Sequence, residues 1–207
     1  MNTGTSKWAL LGILLFGLSA CEDLAALDLA GATTGQNLAL QSAQLGNGSI
    51  KLVPPPGFCI DKRSLKDSFA IMARCDTLGG RPSADAPLAV ITATTVAVSG
   101  SVSIDSTALE TADETILQQA TQGQLALIQV KGAPPSPEMR DTYWRGAAPV
   151  GNHLVGLAIY EAAAGQELGR DAPDLLVQTI ERAEYRPVIV AAAPQDNSAT
   201  GTPKQTN

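Results

Sequence analysis

The apolar run Ala9–Leu18 (ALLGILLFGL) decides where the rest of this chain folds. It follows a polar start whose single charge is Lys7, and it ends in the small residues Ser19 and Ala20 before Cys21 and the acidic pair Glu22-Asp23. A helix that crosses a hydrocarbon core about 30 Å thick needs roughly 20 apolar residues, and this run is far too short. A charged start, a short apolar stretch and small residues ahead of a cut are the layout of a secretory leader, here residues 1–20. The chain beyond the leader is then expected to fold outside the cytoplasm, where cysteines pair.

The segment Leu18-Ser19-Ala20-Cys21 resembles the lipobox of bacterial lipoproteins, in which an aliphatic and two small residues precede an obligatory cysteine. The resemblance implies that Cys21 carries a thioether-linked diacylglycerol, that the leader is cut before it, and that the new amine is often acylated. Each buried methylene contributes about 0.8 kcal/mol, so two or three acyl chains make the lipid bilayer a permanent partner. Glu22 follows the cysteine. In well-studied envelopes that choice points to the outer membrane, although sorting differs between bacterial groups. The expected location is the cell envelope, with the domain facing the periplasm.

Residues 21–47 are rich in Ala, Leu, Gly, Gln and Thr, contain no aromatic residue and run into the turn signal Gly46-Asn47-Gly48, which reads as a lipidated, flexible tether. Residues 187–207 are polar, with Pro and Gly, and read as a disordered tail. The folded domain is expected over 48–186. Aromatic residues make up only 4% of the chain, so its core must be built from Ala, Val, Leu and Ile. The net charge of −6 is spread without a basic cluster, which argues against a nucleic-acid partner, since binding phosphates requires concentrated Lys and Arg.

Within 48–186, Ser49–Val53 and Gly57–Asp61 read as short strands split by Pro54-Pro55-Pro56. Phe69–Cys75 fits both periods, alternating as a strand at Phe69, Ile71, Ala73 and Cys75 while Leu65, Phe69 and Met72 fit a helical face. It is read as a strand because it is short and bounded by Asp67-Ser68 and Gly79-Gly80. Leu88–Val98 (LAVITATTVAV) is dense in β-branched residues. A helix is expected from Ser106 to about Gln122, with Glu110, Asp113 and Glu114 at its positive end and Gly123 as its stop. Three more strands are expected at Leu125–Val130, Met139–Arg145 and Leu154–Tyr160, then an amphipathic helix at Asp174–Ala183. The expected class is α+β: an antiparallel sheet with two main helices packed on it, a flexible N-terminal tether and a disordered C-terminal tail. This element order resembles the PsbP-like fold found in many small envelope lipoproteins, a resemblance that carries no functional residue across.

Cys59 and Cys75 are the thiols left once Cys21 is lipidated, and in an oxidising compartment they are expected to form a disulfide. Their spacing is not the Cys-x-x-Cys of a redox pair, and with a single histidine they fall short of a zinc set, so no metal is expected. His153 sits at a hairpin entry after Gly151-Asn152 and reads as a capping or solvent-exposed residue. Any imidazole base would have to be this one. No nucleophile elbow, P-loop or dinucleotide fingerprint occurs, and neither an enzyme nor a cofactor is expected. Tyr143-Trp144-Arg145 is the densest aromatic and cationic cluster. Alternation sends one ring inward and the other outward, so the outward ring with Arg140 or Arg145 is the candidate partner surface. The expected function is a non-catalytic, membrane-anchored accessory or interaction module with an envelope protein partner. The alternative is small-ligand binding in a cleft between sheet and helices.

Overall fold

The computed structural model describes residues 37–83 and 85–187. The leader, Cys21 and the tail from residue 188 onward lie outside the described residues. So does the beginning of the expected tether.

Eleven strands and one α-helix make up the described fold: β1 (Ala39–Leu40), β2 (Ala43–Leu45), β3 (Ile50–Leu52), β4 (Phe58–Asp61), β5 (Phe69–Arg74), β6 (Ala89–Ala97), β7 (Thr115–Gln122), β8 (Leu125–Lys131), β9 (Thr142–Val150), β10 (His153–Glu161), α1 (Asp171–Glu181) and β11 (Glu184–Tyr185). Eight of the strands form an antiparallel sheet in the order β1-β4-β5-β6-β10-β9-β8-β7, and β11-β3-β2 form a second, smaller one. Along β6 the residues alternate, with Ala89, Ile91 and Ala93 buried, while Val96 on the opposite phase is exposed. Registered beside them on β10 are Ile159 against Ile91 and Leu157 against Ala93. The pleat therefore gathers Met72, Ile91, Ile159 and Trp144 on one face.

That face is the core. Helix α1 packs across β8, β9 and β10 and contributes Ala172 and Leu176. The small sheet adds Ala43, Leu45, Ile50 and Leu52 to the same cluster. Pro149 is tolerated in β9 because the pairing with β8 ends at Ala147, so its missing N–H lies where no β8 partner requires it.

The expected pair of helices on the sheet is overturned: among the described residues the architecture is a mostly antiparallel β fold with one α-helix. The segment expected to be a helix over 106–122 is a single 3-10 turn, Ser106–Leu109, with strand β7 after it. Asp105 caps this turn, its carboxylate accepting from the N–H groups of Thr107 (3.0 Å) and Ala108 (3.2 Å). Glu110 then leaves the turn in extended geometry, φ −73° and ψ 141°. Gly123, read as a helix stop, has φ +60° and opens a two-residue hairpin turn into β8. A left-handed glycine serves both a helix end and a tight hairpin, and the strongly apolar β8 beyond it selects the hairpin.

The expectation of a flexible tether reaching residue 47 is corrected as well. Ala39–Leu40 pairs with β4, Ala43–Leu45 pairs with β3, and the Leu45 side chain is fully buried. The turn signal Gly46-Asn47-Gly48 is present with all three residues at positive φ, but it joins two strands rather than closing a tether.

Candidate functional site

Strand β9 carries Tyr143, Trp144 and Arg145, and its pleat turns Trp144 into the core while Tyr143 and Arg145 face the opposite side of the sheet. Trp144 is 4% exposed, but Tyr143 is also only 5% exposed. The expected outward ring is therefore covered. The cover is the segment whose sequence reads as a helix: Leu109 and Ile116 pack with Tyr143, Ile128 and Val130. The ring of Tyr143 tilts against that of Tyr160, with centroids 4.7 Å apart. Arg140, the other expected cation, is tied to the loop before α1, donating to the Gly165 carbonyl at 2.9 Å.

Glu114 is the hub of this side of the sheet. Its carboxylate accepts from the Tyr143 hydroxyl, from Thr111 Oγ1 at 2.5 Å, and pairs with the Arg145 guanidinium at 2.6 Å. Arg145 also donates to the Leu109 carbonyl. The sequence pattern presents Glu114 as a surface charge facing a helix dipole, and no local signal links it to Tyr143 across 29 residues. The result is a clasp that pins residues 106–114 down onto the sheet.

Burial works to raise the Glu114 pKa, but the hydrogen bonds from Thr111 and Tyr143 and the charge of Arg145 outweigh it, so the carboxyl titrates below its ordinary 4.5. Burial, with the Glu114 bond and charge beside it, pushes the Tyr143 phenol well above the ordinary tyrosine range. A lowered carboxylate pKa contributes stability that is complete above 4.5 and is lost as pH falls through the folded-state value. Glu114→Gln is accordingly expected to lower stability at neutral pH and to flatten its decline below pH 4.5, read from urea midpoints across a pH series. Parallel pH profiles for the two proteins would remove Glu114 from the acid transition.

Beside the clasp lies a shallow groove of about 390 Å³ on the open face of the sheet. Thr92 and Thr94 of β6, Gly156 and Ala158 of β10 and Ala147 of β9 form its floor, and residues 108–111 form one wall. The groove exists because these outward positions carry small side chains. Gly156 permits this closeness, since a Cβ there would lie 2.7 Å from Thr94 Oγ1.

A second cleft, about 580 Å³, separates α1 from residues 85–88. Its cation, Arg74, is engaged by Asp76 at 3.0 Å, which leaves Asp85, Glu167, Asp171 and Asp174 as the other charges on its lining. His153 does not stand in solvent: it is 6% exposed, its Nδ1 lies 2.7 Å from Asn152 Oδ1, and its ring sits over Gly46. Cys59 and Cys75 are bonded to each other across β4 and the end of β5, Cα atoms 4.8 Å apart. Among the described residues no three His, Cys, Asp or Glu side chains gather as a metal set, and no helix is long and apolar enough to cross a membrane.

No protein-family model matches the chain, and no curated protein matches it in sequence. Solved structures similar in fold include the following two. One is the solution structure of cyanobacterial PsbP (CyanoP) from Synechocystis, at 8% identity and a TM-score of 0.42, covering 72% of this chain and 94% of that one. The other is a crystal structure from Bacteroides thetaiotaomicron, at 9% identity and a TM-score of 0.40, covering 72% of this chain. The chain spans about half the length of that second protein, 49%.

Proposed function

We propose that this chain is a lipid-anchored lipoprotein of the bacterial cell envelope whose domain is a non-catalytic accessory module, engaging an envelope protein through the groove on its open sheet face. The anchor reading comes from Leu18-Ser19-Ala20-Cys21 and the leader before it. Residues 22–38 reach at most about 60 Å when fully extended, so the domain works next to the bilayer that holds Cys21.

The observation that carries the interaction reading is how the polar groups beside the groove are used. Glu114, Tyr143 and Arg145 are spent on one another, and a carboxylate held ionised by three donors is a poor proton donor near neutral pH. Together they build a fixed wall above a floor of small side chains. An extended segment of a partner suits that floor of small, uncharged side chains, and the charged groups that also line the groove, Glu110 and Arg145, offer it polar contacts.

Two measurements test this reading. Labelled palmitate should enter the full chain and be lost in Cys21→Ser; label that persists in the variant removes the anchor. A photo-reactive side chain at Thr94, in the lipidated chain on its own membranes, should capture a partner that Thr92→Arg releases. Capture indifferent to Thr92→Arg removes the groove. Small-ligand binding in the cleft beside α1 is the second reading, supported by a volume that falls within the usual range for ligand pockets. It ranks second because Asp85, Asp171 and Asp174 are exposed to water rather than converging on an apolar pocket.

A further inference from the structure

We infer that β7 is a self-pairing edge through which two copies of this chain join their sheets about a two-fold axis at Ala120. Among the described residues the eight-stranded sheet ends on β1 at one side and β7 at the other. β1 has two residues, whereas β7 has eight, TILQQATQ, with no charge and no proline. Long edges are usually blunted by charge, proline or brevity, because their unpaired N–H and C=O groups recruit other strands. β7 has only a bulge at Leu117, which leaves Gln118–Gln122 as a regular run.

The register shows which groups are free. Gln122 opposes Leu125 across the two-residue turn, so this is the pair that exchanges both backbone hydrogen bonds. Antiparallel alternation then commits Gln122, Ala120 and Gln118 to β8 and turns the N–H and C=O groups of Gln119 and Thr121 outward. A second copy offers the same two residues. Centred on Ala120, antiparallel pairing sets Gln119 against the partner's Thr121 and Thr121 against the partner's Gln119, and every outward group on these residues is matched. The faces also agree, because Gln118, Ala120 and Gln122 share one side and Gln119 and Thr121 the other.

Composition favours a second copy over a foreign strand. In a two-fold contact any charge near the axis meets its own copy, and each chain carries a net charge of −6. β7 itself carries no charge to repel its copy, and the carboxylate that does lie beside it, Glu110, is held by the Gln119 amide at 3.0 Å. Ala120 at the axis leaves room for the close approach of a non-hydrogen-bonded pair, and Gln118 meets the partner's Gln122 amide to amide. Since β1 is too short to receive β7, the contact closes as a dimer instead of propagating as a filament. This inference does not depend on what the groove binds.

The full chain in detergent is the sample. Facing Ala120 residues would have Cα atoms about 4.5 Å apart, within disulfide range. Ala120→Cys should therefore form a covalent dimer on mild oxidation, beyond any background from the unsubstituted chain. Leu117→Cys, exposed and outside the register, should not. Gln119→Pro removes an outward N–H that no β8 partner uses, together with an exposed side-chain bond to Glu110, so the fold should persist while sedimentation shows loss of the dimer. Adding Gln119→Pro to Ala120→Cys should abolish the crosslink. Equal crosslinking by Leu117→Cys and Ala120→Cys, or a crosslink indifferent to Gln119→Pro, overturns the two-fold pairing. A bond from the Ala120→Cys variant to a different protein on native membranes also overturns it and assigns the edge to a partner's strand.

Discussion

Trp144→Ala should cost the domain about 3–5 kcal/mol, the usual loss when a large buried aromatic side chain is truncated. Trp144 is 4% exposed on the helix-covered face, in register with Ile159 on β10 and Gln129 on β8, and it belongs to the same cluster as Leu127 and Leu176. With only 4% of the chain aromatic, few neighbours can shift to fill the space it leaves. A domain of this size is stable by roughly 5–15 kcal/mol, so the variant loses a large share of it. The melting temperature should drop by roughly 6–20 °C. Trp144→Phe is the informative companion. The indole Nε1 is buried without an acceptor among the described residues, and such a donor costs about 1–3 kcal/mol. Phenylalanine removes that cost while keeping most of the apolar surface, so its loss should be clearly smaller. Urea denaturation of the three proteins decides the matter. An unchanged midpoint for Trp144→Ala would place the indole outside the core.

Trp144 also marks where sequence reasoning stops. That Tyr143 and Trp144 must face opposite sides of β9 is visible in the period of two, and so are β6 and β10, whose alternating residues meet in register. The cover over each face is a long-range fact. Nothing near Tyr143 announces that Leu109 and Glu114 will fold over it, because the clasp joins residues 29 apart through a turn and a hairpin. Over 106–122 the local pattern points the wrong way. Leu109, Ala112, Ile116 and Ala120 recur at helical spacing, and acidic residues stand where a helix start would want them. The deciding term lies outside the segment. β8, with Leu125, Leu127, Ile128 and Val130 all fully or almost fully buried, follows Gln122 after a two-residue turn and draws the preceding residues into a hairpin. The groove is hidden for the opposite reason, since Thr92, Thr94, Gly156 and Ala147 carry no motif and matter through being small together.

The second large effect concerns Cys59 and Cys75. Removing the bond with the double variant Cys59→Ser/Cys75→Ser should cost about 3 kcal/mol, the chain-entropy value for a closed loop of this length, with a sequence separation of 16. The mechanism acts on the unfolded chain. The bond spans the β4–β5 hairpin, where Phe58 opposes Arg74, Cys59 opposes Ala73 and Ile60 opposes Met72. Without it the unfolded chain regains the freedom to separate these strands. A native-state term adds to this, because Cys59 is fully buried, Cys75 nearly so, and serine hydroxyls among Leu38, Leu78 and Ala73 would need partners. Gln41 Nε2, 2.9 Å from Cys59 Sγ, is placed to supply one of them. Cys59→Ala/Cys75→Ala separates the contributions, since it opens the loop without adding a hydroxyl. If loop entropy dominates, the alanine and serine pairs should fall by similar amounts, and reduction of the unsubstituted chain should match them. If the buried hydroxyls dominate, only the serine pair should fall far. A midpoint that ignores all three changes would leave the bond without a part in holding β4 against β5.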